Sequence, residues 1–217
     1  SAREYPFILE TLIQEMKKRG ANKNRVNGSA NFDPFTYYLL YQEFYNSLDD
    51  NLEEARYLIE KIGPELPNFR LINVNGKNFH NAGGSTLQEL AFTLASANDY
   101  LIHLSEKGIP AGDIARRMQF TFAIGSSYFL EVAKIRAARM LWSAIIKQFD
   151  GTTNEDASVH IHGETSIYNK TVFDPFVNIL RSTTEVMSAA IGGCNSISVN
   201  PFDTPYQPDN PFSRRNA

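Results

Sequence analysis

Apolar residues recur along the chain at two different spacings. A spacing of three or four residues is typical of amphipathic helices, and it predicts helices over Pro6–Arg19, Asp33–Leu48, Leu52–Ile62, Ser85–Gly108, Ser127–Gln148 and Asp174–Gly193. Short apolar runs predict strands at Arg25–Gly28, Phe69–Val74, Gln119–Ile124, Ser158–His162 and Ser196–Val199. The pattern therefore predicts five strands that alternate with helices.

Local signals support the predicted helix ends. Ser85 is followed three residues later by Gln88, which is the spacing of a capping box. Asp33 precedes Pro34, a pair that suits a helix N-cap and the first helical position. Gly20 follows the first predicted helix, where glycine commonly closes the last turn.

The helix predicted over Ser127–Gln148 has a clear apolar side. That side consists of Phe129, Val132, Ala133, Ala137, Met140, Leu141, Ala144 and Ile145. An apolar stripe of this kind is typical of a helix that faces a core.

Strands joined by helical crossovers predict right-handed βαβ units and a parallel sheet. We expect one domain over residues 1–217, because no composition shift or interdomain linker interrupts the sequence. A closed eight-stranded barrel typically needs about 250 residues. The choice at this point lies between an open doubly wound sheet and part of a barrel. Part of a barrel would have unpaired strand edges, so we expect such a piece to self-associate.

Composition excludes several classes of function. Lys plus Arg number 21 and Asp plus Glu number 24, so the net charge of −3 argues against binding to nucleic acid or to an anionic membrane. Cys194 is the single cysteine, which excludes an internal disulfide and a zinc site built from cysteines. No apolar run approaches the length of a membrane span or a signal peptide, so we expect a cytoplasmic protein.

Candidate chemistry is expected at the carboxyl ends of the strands, where sites lie in parallel α/β folds. His80 lies in the segment Asn75–Gly84 after a strand. Such a loop can present backbone N–H groups to an anion. Alternatively, His80 is a loop histidine whose hydrogen bonds are made within the protein. His160 and His162 are two residues apart on a strand, so both face the same side. A metal site would need further ligands, and polar lining of a barrel is the simpler interpretation of this pair.

Four blocks of sequence closely resemble the methylmalonyl-CoA mutase family. They are Phe79–Ala91, Phe122–Trp142, His162–Asn178 and Gly192–Asp203, in the order that the family has. The resemblance implies an α/β fold of the (β/α) TIM-barrel type, here a partial barrel with about five parallel strands, the fourth to the eighth. It also implies isomerisation of methylmalonyl-CoA to succinyl-CoA with adenosylcobalamin. We expect this chain to lack the separate flavodoxin-like domain that binds cobalamin.

Site residues differ from those of catalytic members of the family at three strand ends. The loop Phe79–Gly84 keeps His80, a candidate catalytic residue, but is shorter and has lost an acidic residue. His160 replaces an arginine, and Ile197-Ser198 stands where catalytic chains have a histidine. The resemblance implies a degenerate acyl-CoA site whose substrate-binding positions are His80, His160, His162, Glu164, Tyr168 and Ser198, with no metal.

These departures favour the small subunit of the heterodimeric bacterial members of the family. Such a chain is expected to be non-catalytic, to bind no cofactor itself and to stabilise the large subunit, through the helix Ser127–Gln148 or the tail after Pro201. A catalytic mutase with divergent loops is the first alternative, in which His80 hydrogen-bonds the thioester carbonyl. A metal-dependent barrel hydrolase that uses His160 and His162 is the second.

Overall fold

A computed structural model describes residues 5–44, 46–149, 151–153, 155–208 and 210–217. The strands are β1 (Asn27–Phe32), β2 (Asn68–Asn75), β3 (Met118–Ile124), β4 (His160–Thr165) and β5 (Ser196–Ser198). The helices are α1 (Tyr5–Lys18), α2 (Pro34–Tyr41), α3 (Leu48–Tyr57), α4 (Lys77–Asn81), α5 (Thr86–Glu106), α6 (Ala111–Arg116), α7 (Tyr128–Ile146), α8 (Val177–Gly192) and α9 (Pro211–Arg215). Among these helices, none is long and apolar enough to cross a membrane.

The five strands form one sheet in the order β1-β2-β3-β4-β5, so each strand lies beside its neighbour in the sequence. β1 pairs with β2 in parallel, and β4 pairs with β5 in parallel with His162 opposite Ser196 and Glu164 opposite Ser198. Helices follow each of the first four strands, which is the arrangement of βαβ units. The predicted fold class is confirmed: the chain is an α/β protein with a partial barrel of TIM type.

Two compact units can be distinguished. The first comprises the described residues of Ser1–Val74, Ser96–Gln119 and Ser143–Val159. Its core is apolar, with fully buried Leu58, Leu71 and Ile72, and the buried Tyr100 hydroxyl donates to Asp33 Oδ1 at 2.8 Å. Asp33 also caps α2, because its side chain accepts from the Thr36 amide at 3.1 Å.

The second unit comprises Asn75–Ala95, Phe120–Trp142 and the described residues of His160–Ala217. Phe120 packs edge-on against Phe122 and Trp142, all three of them fully buried. Every residue predicted for the site lies in this unit. The predicted capping box is present at its helix α5, since the Gln88 amide donates to Ser85 Oγ and the Ser85 amide donates to Gln88 Oε1.

Several predicted element bounds were wrong, among them those of the first strand, which runs over Asn27–Phe32 rather than Arg25–Gly28. The helix from Asp33 ends at Tyr41 rather than at Leu48, because Gln42 adopts a left-handed conformation with φ 58°. α8 begins at Val177 and not at Asp174, whose own φ is 55°. The segment Asn75–Gly84 is not a loop throughout, because it contains α4.

The fourth strand is shifted toward the C-terminus, from the predicted Ser158–His162 to His160–Thr165. The Ser158 amide donates to the Glu155 carbonyl at 3.1 Å, so this amide is engaged in a turn and not in the sheet. The shift places Glu164 on β4 itself rather than in the loop beyond it.

Helix α7 presents the opposite side to the core from the one that the periodicity indicated. Phe129 and Met140, on the predicted apolar side, are 82% and 70% exposed. The buried side carries Glu131, Lys134 and Ile135, followed one turn later by Ala138 and then by Trp142. Two buried charges therefore interrupt the apolar stripe that faces the core.

Candidate functional site

Helix α4 begins directly after β2, at a close turn whose single intervening residue is Gly76. A Cβ at Gly76 would overlap Thr93 Oγ1 and approach the Phe122 ring to 3.3 Å, so a larger residue does not fit. The turn leads into α4, which places Lys77 and His80 three residues apart and so on one side of the short helix.

The polar side of β4 faces α4. Burial alternates along the strand, with Ile161, Gly163 and Thr165 buried and the three intervening side chains partly accessible. Those three are His160, His162 and Glu164, which share one face of the strand because side chains alternate across a sheet.

Two contacts fasten α4 to the end of β4. Lys77 Nζ lies 2.6 Å from Glu164 Oε2, in an ion pair of which about a quarter is exposed. His80 Nε2 lies 2.8 Å from the hydroxyl of Ser166, just beyond the strand. Glu164 Oε1 also accepts from the side-chain amide of Asn200 at 3.3 Å, so both of its oxygens are engaged.

The two histidines of β4 share one hydroxyl on β5. Ser196 Oγ lies 2.8 Å from His162 Nδ1 and 3.3 Å from His160 Nε2. Burial lowers the pKa of His162, and nearby Lys77 adds to this against the opposite effect of Glu164. Within the residues that the structure describes, no group of three or more His, Cys, Asp or Glu side chains is arranged to hold a metal. The hydrolase hypothesis therefore gains no support from this geometry.

A buried charge cluster lies behind His80. Lys134 Nζ is 2.6 Å from Glu89 Oε2 and 2.6 Å from Glu131 Oε2, and all three side chains are at most 1% exposed. Lys134 also donates to the Ala123 carbonyl, and Glu89 accepts from the Ala123 amide at 2.7 Å. Burial raises the pKa of Glu89 to about 7, although Lys134 acts to lower it.

His80 lies at the edge of this cluster. Its Nδ1 is 3.8 Å from Glu89 Oε2, and its ring meets the Tyr168 ring edge-on with the ring centres 6.1 Å apart. Burial lowers the pKa of His80, and the charge of Lys134 adds to the effect. The imidazole is therefore held in its neutral form by its surroundings.

The model of the methylmalonyl-CoA mutase family matches residues 3–217, which is nearly the whole chain. This chain belongs to the methylmalonyl-CoA mutase family. The chain is 42% identical over 211 residues to the methylmalonyl-CoA mutase small subunit of Porphyromonas gingivalis, covering 97% of this chain and 34% of that protein. It is 30% identical over 210 residues to the large subunit of the same organism, covering 97% of this chain and 29% of that protein.

A methylmalonyl-CoA mutase of Rhizobium meliloti is 32% identical over 210 residues, with 97% of this chain and 30% of that protein covered. The chain thus spans about a third of the length of the curated relatives that it matches.

The structure of this mutase-family chain brings most of the predicted site residues together. His80 and Tyr168 meet through Ser166, whose Oγ also accepts from the Tyr168 amide at 3.1 Å. Glu164 and His162 are neighbours on one face of β4. Ser198 lies opposite Glu164 in the strand register, but it is exposed and, among the described residues, makes no side-chain hydrogen bond to the other five.

Sequence reasoning missed Lys77, Ser166 and the charge cluster. Glu131 and Lys134 are spaced i, i+3 within one of the blocks that resemble the family, which was the available signal. Cys194 is partly buried, and this burial raises the pKa of its thiol to about 11. That shift makes the thiolate, and hence a nucleophile, unfavourable at neutral pH.

Proposed function

We propose that this chain acts in the small subunit of an adenosylcobalamin-dependent methylmalonyl-CoA mutase and that it is non-catalytic. The complex would isomerise methylmalonyl-CoA to succinyl-CoA, and this chain would stabilise the large subunit. Residues 1–217 would form one domain, corresponding to the later strands of the family's barrel, in a cytoplasmic enzyme.

One observation carries the assignment to the small subunit. Over nearly the same residues, identity is 42% to the small subunit of Porphyromonas gingivalis and 30% to the large subunit of that organism. Because both relatives come from one organism and cover the same share of this chain, species divergence does not account for the difference.

The site geometry supports a non-catalytic role. An acyl-CoA site needs cations or hydrogen-bond donors that are free to meet the substrate. Lys77 is instead neutralised by Glu164 at 2.6 Å, and His80 is bonded to Ser166. The polar groups at this end of the strands are thus directed at each other.

Adenosylcobalamin, on which the family depends, does not fit at His80. A metal ligand must offer a free ring nitrogen. Nε2 of His80 lies 2.8 Å from Ser166 Oγ, and Nδ1 is buried beside Glu89. His80 is therefore not placed to hold the cofactor's metal, and we expect the cofactor on the large subunit.

The exposed side of α7 supports a role in assembly. Phe129, Leu130 and Met140 are exposed large apolar side chains on this one helix. Apolar surface of this kind is typical of a contact with a protein partner. We propose the large subunit as that partner and α7 as part of the contact.

The decisive experiment expresses the full-length chain with and without its large subunit. We expect no turnover of methylmalonyl-CoA by this chain alone with adenosylcobalamin, and a stable complex when the two are produced together. Turnover by the isolated chain would favour the catalytic alternative and overturn our proposal. Separate elution of the two chains would overturn the stabilising role.

Calorimetric titration of the isolated full-length chain with methylmalonyl-CoA tests the degenerate site directly. We expect no saturable heat. Saturable binding at about micromolar strength, or roughly 8 kcal/mol, would mean that His80 and His160 still form a working acyl-CoA pocket.

A further inference from the structure

The buried hydroxyl of Ser166 has two hydrogen-bond partners with different roles. The backbone N–H of Tyr168 donates to Oγ at 3.1 Å. The other contact is His80 Nε2 at 2.8 Å, and Ser166 is 1% exposed. A buried hydroxyl hydrogen requires an acceptor. Among the described atoms hydrogen-bonded to this oxygen, only His80 Nε2 is able to accept, so Ser166 donates to it.

A ring nitrogen that accepts a hydrogen bond carries no hydrogen. In neutral imidazole the hydrogen then lies on the other nitrogen, Nδ1. Nδ1 is buried, makes no hydrogen bond within the described part of the chain, and lies 3.8 Å from Glu89 Oε2. Glu89 Oε2 accepts a hydrogen bond from Lys134 Nζ at 2.6 Å, so a hydrogen on Nδ1 is attracted to this oxygen, whereas a lone pair on Nδ1 would be repelled.

The other charges near His80 decide whether its ring is neutral or positively charged. Lys134 Nζ lies 2.6 Å from Glu89 and opposes a positive charge on the ring, while Glu131 favours one. Burial and Lys134 together lower the pKa of His80, which keeps the ring neutral at pH 7. A neutral ring has only the two tautomers to choose between.

We propose that Ser166 and Glu89 are positioning residues that hold His80 as the neutral Nδ1–H tautomer, with Nε2 occupied as an acceptor. His80 then has no N–H to offer a ligand at Nε2. The consequence for acyl-CoA rests on the proposed function: a thioester carbonyl has no donor at His80 until Ser166 rearranges. His80 serves here to fasten α4 to the end of β4.

Two-bond ¹H–¹⁵N correlation spectra of the full-length chain, labelled with ¹⁵N-histidine and free of ligand at pH 7, report the tautomer of each ring. His80→Gln identifies the His80 signals by their loss. We expect a protonated Nδ1 and an unprotonated Nε2 at His80. A protonated Nε2, in the neutral ring or in imidazolium, would overturn the proposal.

Ser166→Ala tests the role of the hydroxyl, with Ser196→Ala as the matched control. We expect S166A to move His80 toward the Nε2–H tautomer. S196A removes the hydroxyl shared by His160 and His162 and leaves His80 unchanged. An unchanged His80 in S166A would overturn the role of Ser166. The tautomer of His80 is measured without ligand, so it does not depend on the proposed function. Turnover or acyl-CoA binding by this chain would overturn the proposed function but not the assignment of the tautomer.

Discussion

Lys134 and Lys170, both in the second compact unit, have fully buried side chains, yet their surroundings differ by one carboxylate. Lys134 lies 2.6 Å from each of two carboxylates, those of Glu89 and Glu131. Lys170 lies 2.9 Å from the single carboxylate of Glu185 and 2.8 Å from the Ser182 hydroxyl. With every group ionised, the first cluster carries one negative charge in excess and the second carries none.

The excess negative charge of the Lys134 cluster bears on its protonation. A buried charge without a partner is costly, so a cluster with excess charge favours taking up a proton. Burial is the main cause of the raised pKa of Glu89, which is about 7, and the negative charge of Glu131 adds to it. The balanced cluster at Lys170 joins α8 to the segment before it, whereas the unbalanced cluster places a titrating carboxyl beside His80.

The largest expected effect is that of Lys134→Met. This change leaves two buried carboxylates without a cation, and we expect it to lower the free energy of unfolding by about 5 kcal/mol. Lys170→Met leaves one such carboxylate and is expected to cost about 3 kcal/mol. Urea unfolding measures both, with exposed Lys147→Met as a control that changes stability by at most about 0.5 kcal/mol. Equal losses in the two buried variants would show that the second carboxylate at Lys134 has no effect on stability.

The pH dependence of stability is the next largest effect. The ordinary pKa of a glutamate is 4.5, and the pKa of Glu89 in the folded chain is about 7. Between these two pH values the folded state holds a proton that the unfolded chain has released. The stabilising contribution of protonated Glu89 to the free energy of unfolding is therefore full below pH 4.5 and is lost as the pH rises through about 7. This amounts to a fall on the order of 3 kcal/mol.

Glu89→Gln separates this contribution from those of other groups. The variant should lose the decline between pH 4.5 and 7 in thermal or urea unfolding, because Gln does not titrate. Exposed Glu60→Gln, the control, should retain it. A decline of the same size in E89Q would assign the titration to another group.

Local rules predicted those parts of the fold that depend on neighbouring residues. The capping box of Ser85 and Gln88 is one case, because both of its hydrogen bonds lie within four residues. The orientation of α7 was not predictable in this way. Lys134 is buried because it pairs with Glu89, 45 residues earlier in the chain, and no periodicity records such a partner.

In the candidate site, too, some residues were predicted from local patterns and others were missed because their partners are distant in the sequence. His160, His162 and Glu164 were recognised from spacing and from the family resemblance, and they do share one face of β4. Lys77 and Ser166 were missed because their roles depend on contacts across 87 and 86 residues. The short helix that carries Lys77 depends in turn on the close approach of Gly76 to Thr93.

A smaller effect is expected at the partly exposed pair of Lys77 and Glu164. Lys77→Met should lower stability by about 1 kcal/mol, because solvent screens this pair. It should also raise the pKa of His162, which Lys77 lowers. NMR titration of the histidines measures the shift. Lys17→Met, at the more exposed pair with Glu65, is the control and should leave His162 unchanged. A His162 that titrates alike in all three proteins would show that Lys77 does not act on it.

The smallest effect on stability is expected at the exposed side of α7. Phe129 is 82% exposed, so Phe129→Ser should change the free energy of unfolding by at most about 0.5 kcal/mol. If α7 contacts the large subunit, the same change should weaken the complex about tenfold, which is about 1.4 kcal/mol. Phe7→Ser removes a ring from α1 that is 70% exposed and serves as the matched control. A complex that tolerates F129S would place the contact elsewhere, and equal weakening by F7S would show that α7 has no special part in it.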